Sequence, residues 1–116
     1  MLDLANTISH ELSHHWFGNL STMKWWDDLW LNESFAEFIS HFCLEKVKDN
    51  MKTIKYESSM SAFLARKAWG YHEDQLITTH PISGEVSNTV VAASIFDGIT
   101  YSKGAATMKQ LLLLMG

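Results

Sequence analysis

The segment His10-Glu11-Leu12-Ser13-His14 contains residue types that could carry out metal chemistry. On an α-helix, two histidines four positions apart are separated by only about 40° around the axis, with one lying a turn above the other. Both imidazoles can therefore reach one ion, and Glu11, about 100° round from His10, lies beside the open face of that ion. The spacing predicts a zinc site with Glu11 as the general base that acts on a water molecule.

The alternative is that these side chains form the solvated face of an amphipathic helix, with Leu4, Ile8 and Leu12 facing the core. A catalytic zinc ion normally has three protein ligands and one water molecule, so a third ligand would favour the metal site. Glu33 meets this requirement, since eighteen residues separate it from His14 and it begins the next predicted helix.

The elements that must position these residues are predicted from apolar spacing and capping signals. The first helix runs from about Asn6 to Phe17, with Asn6 or Thr7 as the N-cap and Gly18 as the stop. The other predicted elements are a packed Trp-rich loop at 19–32, helices at 33–50 and about 53–69, a mixed segment at 70–98 with a short buried helix or turn at 90–93, and a last helix capped by Ser102. The fold class is therefore mainly α.

Three of the predicted helices carry apolar stripes at helical spacing. In chain order these stripes are Phe35, Phe38, Ile39 and Phe42, then Tyr56, Met60, Phe63 and Leu64, and then Met108, Leu111, Leu112 and Met115. With 116 residues, of which 47% are hydrophobic, the chain is expected to form a single globular domain over 1–116.

Charge and composition limit the possible partners and locations. The net charge is −4 and the nine Lys and Arg are scattered, so nucleic acid is not expected as a partner. Cys43 is the only cysteine, which excludes an intramolecular disulfide. The N-terminus lacks a signal-peptide pattern, and the longest apolar run, Leu111–Met115, is far too short to span a membrane. The chain is expected to be soluble, and a cytoplasmic location is favoured, although the native location of a longer parent protein stays open.

Several ordered blocks resemble the zinc signature of the gluzincin aminopeptidases, the group of aminopeptidase N and the puromycin-sensitive enzyme. That signature is H-E-x-x-H, eighteen residues, then Glu. The matching blocks are 10–20, 25–33, Thr79-His80-Pro81-Ile82 and 96–105. The resemblance implies a zinc metallopeptidase that removes residues from the N-terminus of a peptide substrate. It also implies one Zn²⁺ per chain, held by His10, His14 and Glu33, and a fold that is the helical part of a thermolysin-like zincin catalytic domain.

Further roles follow from the resemblance. It implies that Tyr101 donates a hydrogen bond to the developing oxyanion, whereas the sequence alone would suggest a packing tyrosine. An acidic residue is expected to support a ligating histidine from behind, and both Glu37 and Asp28 are candidates. His41 is more plausible as a core or partly exposed histidine than as a ligand. His15, His72 and His80 are expected to be structural.

The chain also departs from the family pattern. Glutamine commonly stands where this chain has His15, and glycine where it has Ser34. An upstream Gly-x-Met-Glu-Asn loop that binds the substrate amine, and the domains around it, are absent, so the remaining domains of a parent peptidase are expected as partners. Two alternatives remain open: a zinc-binding helical domain with little or no catalysis in isolation, and a metal-free helical interaction module.

Overall fold

The structure, a computed structural model, describes residues 2–48, 50 and 58–116. The elements in chain order are α1 (Leu2–Ser13), a 3₁₀ helix (Trp26–Asp28), α2 (Leu29–Lys48), α3 (Ser59–Glu73), α4 (Thr89–Ser94), a π-helical turn (Ile99–Lys103) and α5 (Gly104–Met115). Within these described residues, the only β pairing is an isolated bridge between Phe17 and Ser21. The prediction of a mainly α fold is confirmed.

Helix α2 lies at the centre of the molecule. α1, α3, α5 and the π-helical turn all pack against it. The apolar core joins Phe38 of α2, Phe63 of α3 and Ala105 of α5, and Ile39, Phe42 and Met108 pack around these three residues. Burying each large side chain contributes roughly 1.5–3 kcal/mol, which accounts for the convergence of these helices on α2.

The predicted start of the first helix is wrong. α1 extends from Leu2 to Ser13 and passes through Asn6 and Thr7, so neither residue is its N-cap. The Thr7 hydroxyl donates to a backbone carbonyl one turn earlier at 3.0 Å, and Asn6 Oδ1 accepts a hydrogen bond from Ser40 Oγ of α2 at 2.9 Å. Because these polar groups find partners inside the fold, they do not interrupt the helix.

The second helix begins earlier than predicted. α2 starts at Leu29, four residues before Glu33, because the 3₁₀ helix leads directly into it. Trp25 and Asp27 hold the start of this segment, since Trp25 Nε1 donates to the Val86 carbonyl at 2.9 Å and Asp27 Oδ1 accepts from Val86 N at 2.6 Å. The segment 19–32 is therefore a loop only up to Trp25.

The third helix, predicted at about 53–69, spans Ser59–Glu73, whereas the fourth agrees in position with the prediction. α3 begins at Ser59 with Ser58 as its N-cap, and the predicted stripe residue Tyr56 lies outside the described residues. The short helix α4 is confirmed, with Asn88 accepting hydrogen bonds from Val90 N and Val91 N at 3.0 Å each. It is largely exposed, contrary to the predicted burial, and Ala92 is its buried residue.

Ser102 does not cap the last helix. It lies inside the π-helical turn and is buried. The cap is Asp97, whose Oδ1 accepts hydrogen bonds from Ile99 N at 2.9 Å and Thr100 N at 3.0 Å. The helical path therefore begins several residues earlier than the sequence suggested.

The apolar face of α1 points to solvent instead of the core, which contradicts the expectation for Leu4, Ile8 and Leu12. Their exposed fractions are 65%, 52% and 53%, and Trp16, in the turn that follows the helix, is 65% exposed. His10 and Ser13 are the buried residues of this helix.

None of the described helices is both long enough and apolar enough to cross a membrane.

Replacing Phe63 with alanine should lower the free energy of unfolding by about 3 kcal/mol, because the substitution leaves a cavity in the core. Phe63 is 1% exposed, whereas its neighbour Leu64 is 57% exposed. The matched control Leu64→Ala should therefore cost less than about 1 kcal/mol. Urea denaturation monitored by circular dichroism measures both values, and equal losses in the two variants would contradict the described core.

Candidate metal centre

Three predicted ligands converge at the contact between α1 and α2. His10 Nε2 lies 3.2 Å from His14 Nε2 and 3.2 Å from Glu33 Oε2, and His14 Nε2 lies 3.6 Å from the same carboxylate oxygen. A tetrahedral zinc ion with bonds of about 2.0–2.1 Å separates neighbouring ligand atoms by about 3.3 Å. The three side chains therefore have the donor types and the spacing that one zinc ion requires, and they are the one group of potential metal ligands found among the described residues.

Local structure brings each ligand to this point. His10 is buried in the last turn of α1, and His14 lies in the turn that follows this helix. Glu33 is buried in the second turn of α2, against which α1 packs. The predicted arrangement of two histidines one turn apart is retained even though the helix itself ends between them.

Asn32 fixes the orientation of the His14 ring. His14 Nδ1 lies 3.0 Å from Asn32 Oδ1 and 3.2 Å from the Phe17 carbonyl oxygen. Because a backbone carbonyl can only accept a hydrogen bond, Nδ1 carries the proton and Nε2 presents its lone pair to the cluster. Sequence reasoning missed Asn32, although an amide directly before the acidic ligand on the same helix is a signal that could have identified it.

Gly18 permits the turn that brings these acceptors to His14. Its φ of 128° lies in the left-handed region that favours glycine. A Cβ at this position would also lie 2.8 Å from Asn32 Oδ1 and 3.2 Å from the His14 carbonyl oxygen. The glycine therefore shapes the ligand turn. The prediction that the first helix runs to Phe17 and stops at Gly18 is wrong, because α1 already ends at Ser13.

Glu37 lies on the Nδ1 side of the His10 ring, away from the ligand atom Nε2. Its Oε2 is 3.8 Å from His10 Nδ1, and its Oε1 accepts a hydrogen bond from Arg66 Nε at 2.7 Å and lies 3.6 Å from His41 Nε2. Burial alone would raise the pKa of Glu37, but the adjacent His41 and Arg66 lower it to about 2, so the carboxylate is ionised. The competing candidate Asp28 lies on the 3₁₀ helix and accepts a hydrogen bond from the Ser83 hydroxyl at 3.4 Å.

Tyr101 stands beside the cluster on the π-helical turn. Its ring stacks on that of His10, with ring centroids 6.0 Å apart and an interplanar angle of 21°. Burial raises the pKa of Tyr101, and the negative charge of Glu33 and a hydrogen bond with it raise this pKa further. The phenol therefore keeps its proton and can act as a donor, and π-helical turns of this kind are frequent at functional sites.

Glu11 borders a polar cleft next to the cluster. The cleft has a volume of about 400 Å³ and is also lined by His10, Glu37, Arg66 and Tyr101. Glu11 itself is exposed, as expected for the residue beside the open face of a metal. The cleft therefore offers access to the cluster from the side on which Glu11 and Tyr101 lie.

The other histidines lie elsewhere. His15 and His72 are exposed. His41 is buried, with Nδ1 3.0 Å from both the hydroxyl and the carbonyl oxygen of Ser59. His80 Nε2 lies 2.9 Å from Asp97 Oδ2. None of these four belongs to the group of potential ligands found among the described residues.

The comparisons with known proteins show the family. The model of the peptidase family M1 domain matches residues 1–116, and the chain belongs to this family. The resemblance to the gluzincin aminopeptidases is confirmed by the similarity of the chain to proteins named aminopeptidases.

The chain is similar to aminopeptidases from several organisms. It is 46% identical to aminopeptidase N of Streptomyces lividans over 113 residues, which cover 97% of this chain and 13% of the relative. It is 40% identical to probable aminopeptidase 1 of Saccharolobus solfataricus over 116 residues, covering 97% of this chain and 14% of the relative. Glutamyl aminopeptidase of Bitis rhinoceros is 44% identical over 108 residues, covering 93% of this chain and 11% of the relative. The chain thus spans only a small part of the length of these relatives.

Replacing Asn32 with alanine should lower the affinity for zinc by about 10- to 100-fold, because His14 would lose the partner that holds its ring. Competition with a chromophoric chelator measures this affinity. Asn19→Ala is the matched control, since Asn19 is exposed in the same turn and should leave the affinity unchanged. Equal affinities of the two variants would contradict the orienting role of Asn32.

Proposed function

We propose that the chain is the zinc-binding catalytic core of an aminopeptidase, with His10, His14 and Glu33 as the ligands of one Zn²⁺. The observation that supports this proposal most strongly is the convergence of three donor atoms at separations of 3.2–3.6 Å in a buried site. Membership in peptidase family M1 and similarity to proteins named aminopeptidases support the same assignment.

The reaction is hydrolysis of a peptide bond. A zinc ion at this site would lower the pKa of a water molecule to about 7 and polarise the substrate carbonyl. Glu11 accepts the proton of the attacking water and returns it to the leaving amine. Tyr101 donates a hydrogen bond to the carbonyl oxygen as negative charge develops there. The imidazole of His14 keeps its proton on Nδ1, because this N–H donates to Asn32 Oδ1 and the Phe17 carbonyl oxygen.

The same proposal includes a preference for peptide substrates with a free N-terminus and contact with the remaining domains of a parent peptidase. The relatives are several times longer than this chain, and the exposed apolar face of α1 is suited to pack against further parts of a larger peptidase. The same face also favours the alternative function, in which the chain alone binds zinc but has little or no catalytic activity. Rapid hydrolysis requires a substrate that is held in a defined position, and further parts of a larger peptidase would contribute to holding it.

Replacing His10 with alanine should abolish stoichiometric zinc binding, since two remaining ligands hold zinc poorly. Metal analysis after gel filtration should give one zinc per wild-type chain. His15→Ala is the matched control, because His15 adjoins His14 but is exposed and lies outside the group of ligands. Unchanged zinc content in His10→Ala would show that the proposed ligand set is wrong.

Replacing Glu11 with glutamine should abolish hydrolysis of aminoacyl amides while the zinc content stays at one per chain. The amide keeps the shape of the side chain but cannot accept a proton. Steady-state rates and metal analysis on the same samples separate these two effects. Loss of zinc in Glu11→Gln would indicate a structural role, and a wild-type chain that binds zinc without turnover would favour the alternative function.

A further inference from the structure

One hydrogen bond joins the helix that carries Glu33 to the turn that carries Tyr101. Ser34 Oγ donates to the Thr100 carbonyl oxygen at 2.6 Å, across 66 residues of sequence. Ser34 directly follows Glu33 and Thr100 directly precedes Tyr101. Both bonded residues are 0% exposed, so water cannot replace the lost partner if the hydroxyl is removed.

Close packing around Ser34 confines its hydroxyl. Gly104 begins α5 directly against this residue, and a Cβ on Gly104 would collide with Ser34 Oγ and lie 3.1 Å from Ser34 Cβ. The same Cβ would lie 3.3 Å from the ring of Trp30. The side chain therefore has little freedom to leave the Thr100 carbonyl, and the bond acts as a fixed tie between α2 and the turn.

The π-helical turn is also held by bonds along its own chain and by one ion pair, in which Lys103 Nζ donates to Asp74 Oδ1 at 2.6 Å. Tyr101 N donates to the Asp97 carbonyl at 3.0 Å, and Gly104 N donates to the Ile99 and Tyr101 carbonyls. These local bonds define the shape of the turn but do not determine its distance from α2. The bond from Ser34 joins the turn directly to α2, and it starts one residue from Glu33 and ends one residue from Tyr101.

We propose that Ser34 is a positioning residue that sets the Tyr101 hydroxyl relative to the Glu33 carboxylate. The inference rests on the proposed function, since it concerns the placement of the oxyanion donor beside the ligand group. Ser34 acts through Tyr101, so its removal should affect kcat more than KM and should leave zinc content unchanged.

The first test needs neither zinc nor activity. The metal-free chain is labelled with 3-fluorotyrosine at its three tyrosines, and Tyr101→Phe assigns the ¹⁹F resonance of Tyr101. Ser34→Ala should shift or broaden this resonance and leave that of Tyr71 unchanged. Ser102→Ala is the matched control, because its hydroxyl is buried on the same turn without a hydrogen-bond partner. A Tyr101 resonance that is unchanged in folded Ser34→Ala would overturn the proposal.

The second test uses the zinc-loaded chain. Ser34→Ala should lower kcat by about 10-fold, with KM and zinc content unchanged, because a small misplacement of a catalytic group is costly. Ser34→Cys replaces the hydroxyl with a somewhat larger thiol that donates weakly, so an intermediate ¹⁹F shift and kcat are expected even if Ser34→Ala is unfolded. Wild-type values in Ser34→Cys, or a change in KM alone, would overturn the proposal. Absence of zinc in the wild-type chain would contradict the proposed function but leave the ¹⁹F result interpretable.

Discussion

The structure depends on the burial of two carboxylates, Glu33 and Glu37, one turn apart on α2. Like charges at this spacing repel each other, and a buried charge is strongly destabilising unless it is paired. Two of the helices that pack beside them contribute polar partners. α3 supplies Arg66 to Glu37, and α1 supplies His10, which lies between the two carboxylates. The helices that pack around α2 therefore bury apolar side chains and also place polar groups beside its two carboxylates.

The two carboxylates have different environments and therefore different roles. Glu37 has a permanent cation, Arg66, and the neighbouring His41, which together keep it ionised at low pH. Glu33 faces two histidine nitrogens and the Tyr101 phenol, all of which can be neutral. Its charge consequently lacks a permanent cationic partner in this group. This difference supports the proposed roles, in which Glu33 is a metal ligand and Glu37 supports His10.

The sequence predicted that His10, His14 and Glu33 would lie close together, and the structure brings their donor atoms to one point, because the four-residue spacing of His10 and His14 restricts where their side chains can lie. It could not distinguish Glu37 from Asp28, since that choice depends on which face of α2 meets α1. It also missed Asn32, whose role depends on the turn at Gly18. These features arise from the packing of segments distant in sequence, which local patterns do not contain.

Errors in helix boundaries have the same origin. Asn6 has the residue type of an N-cap, but in the fold its amide oxygen binds Ser40 of α2, so the helix continues through it. Ser102 likewise has a capping residue type, yet Asp97 already satisfies the backbone donors that begin that helical path. A capping residue ends or starts a helix only when no tertiary partner competes for its side chain.

Helix α1 has three faces with separate functions. One face contacts α2 through His10 and Ser13, the second borders the polar cleft with Glu11, and the third exposes Leu4, Ile8 and Leu12. The helix is held from the α2 side by few polar contacts, such as the bond between Ser40 and Asn6. Because one helix carries both this exposed apolar face and His10, any contact made by Leu4, Ile8 and Leu12 is a contact of the same element that places His10 beside Glu33.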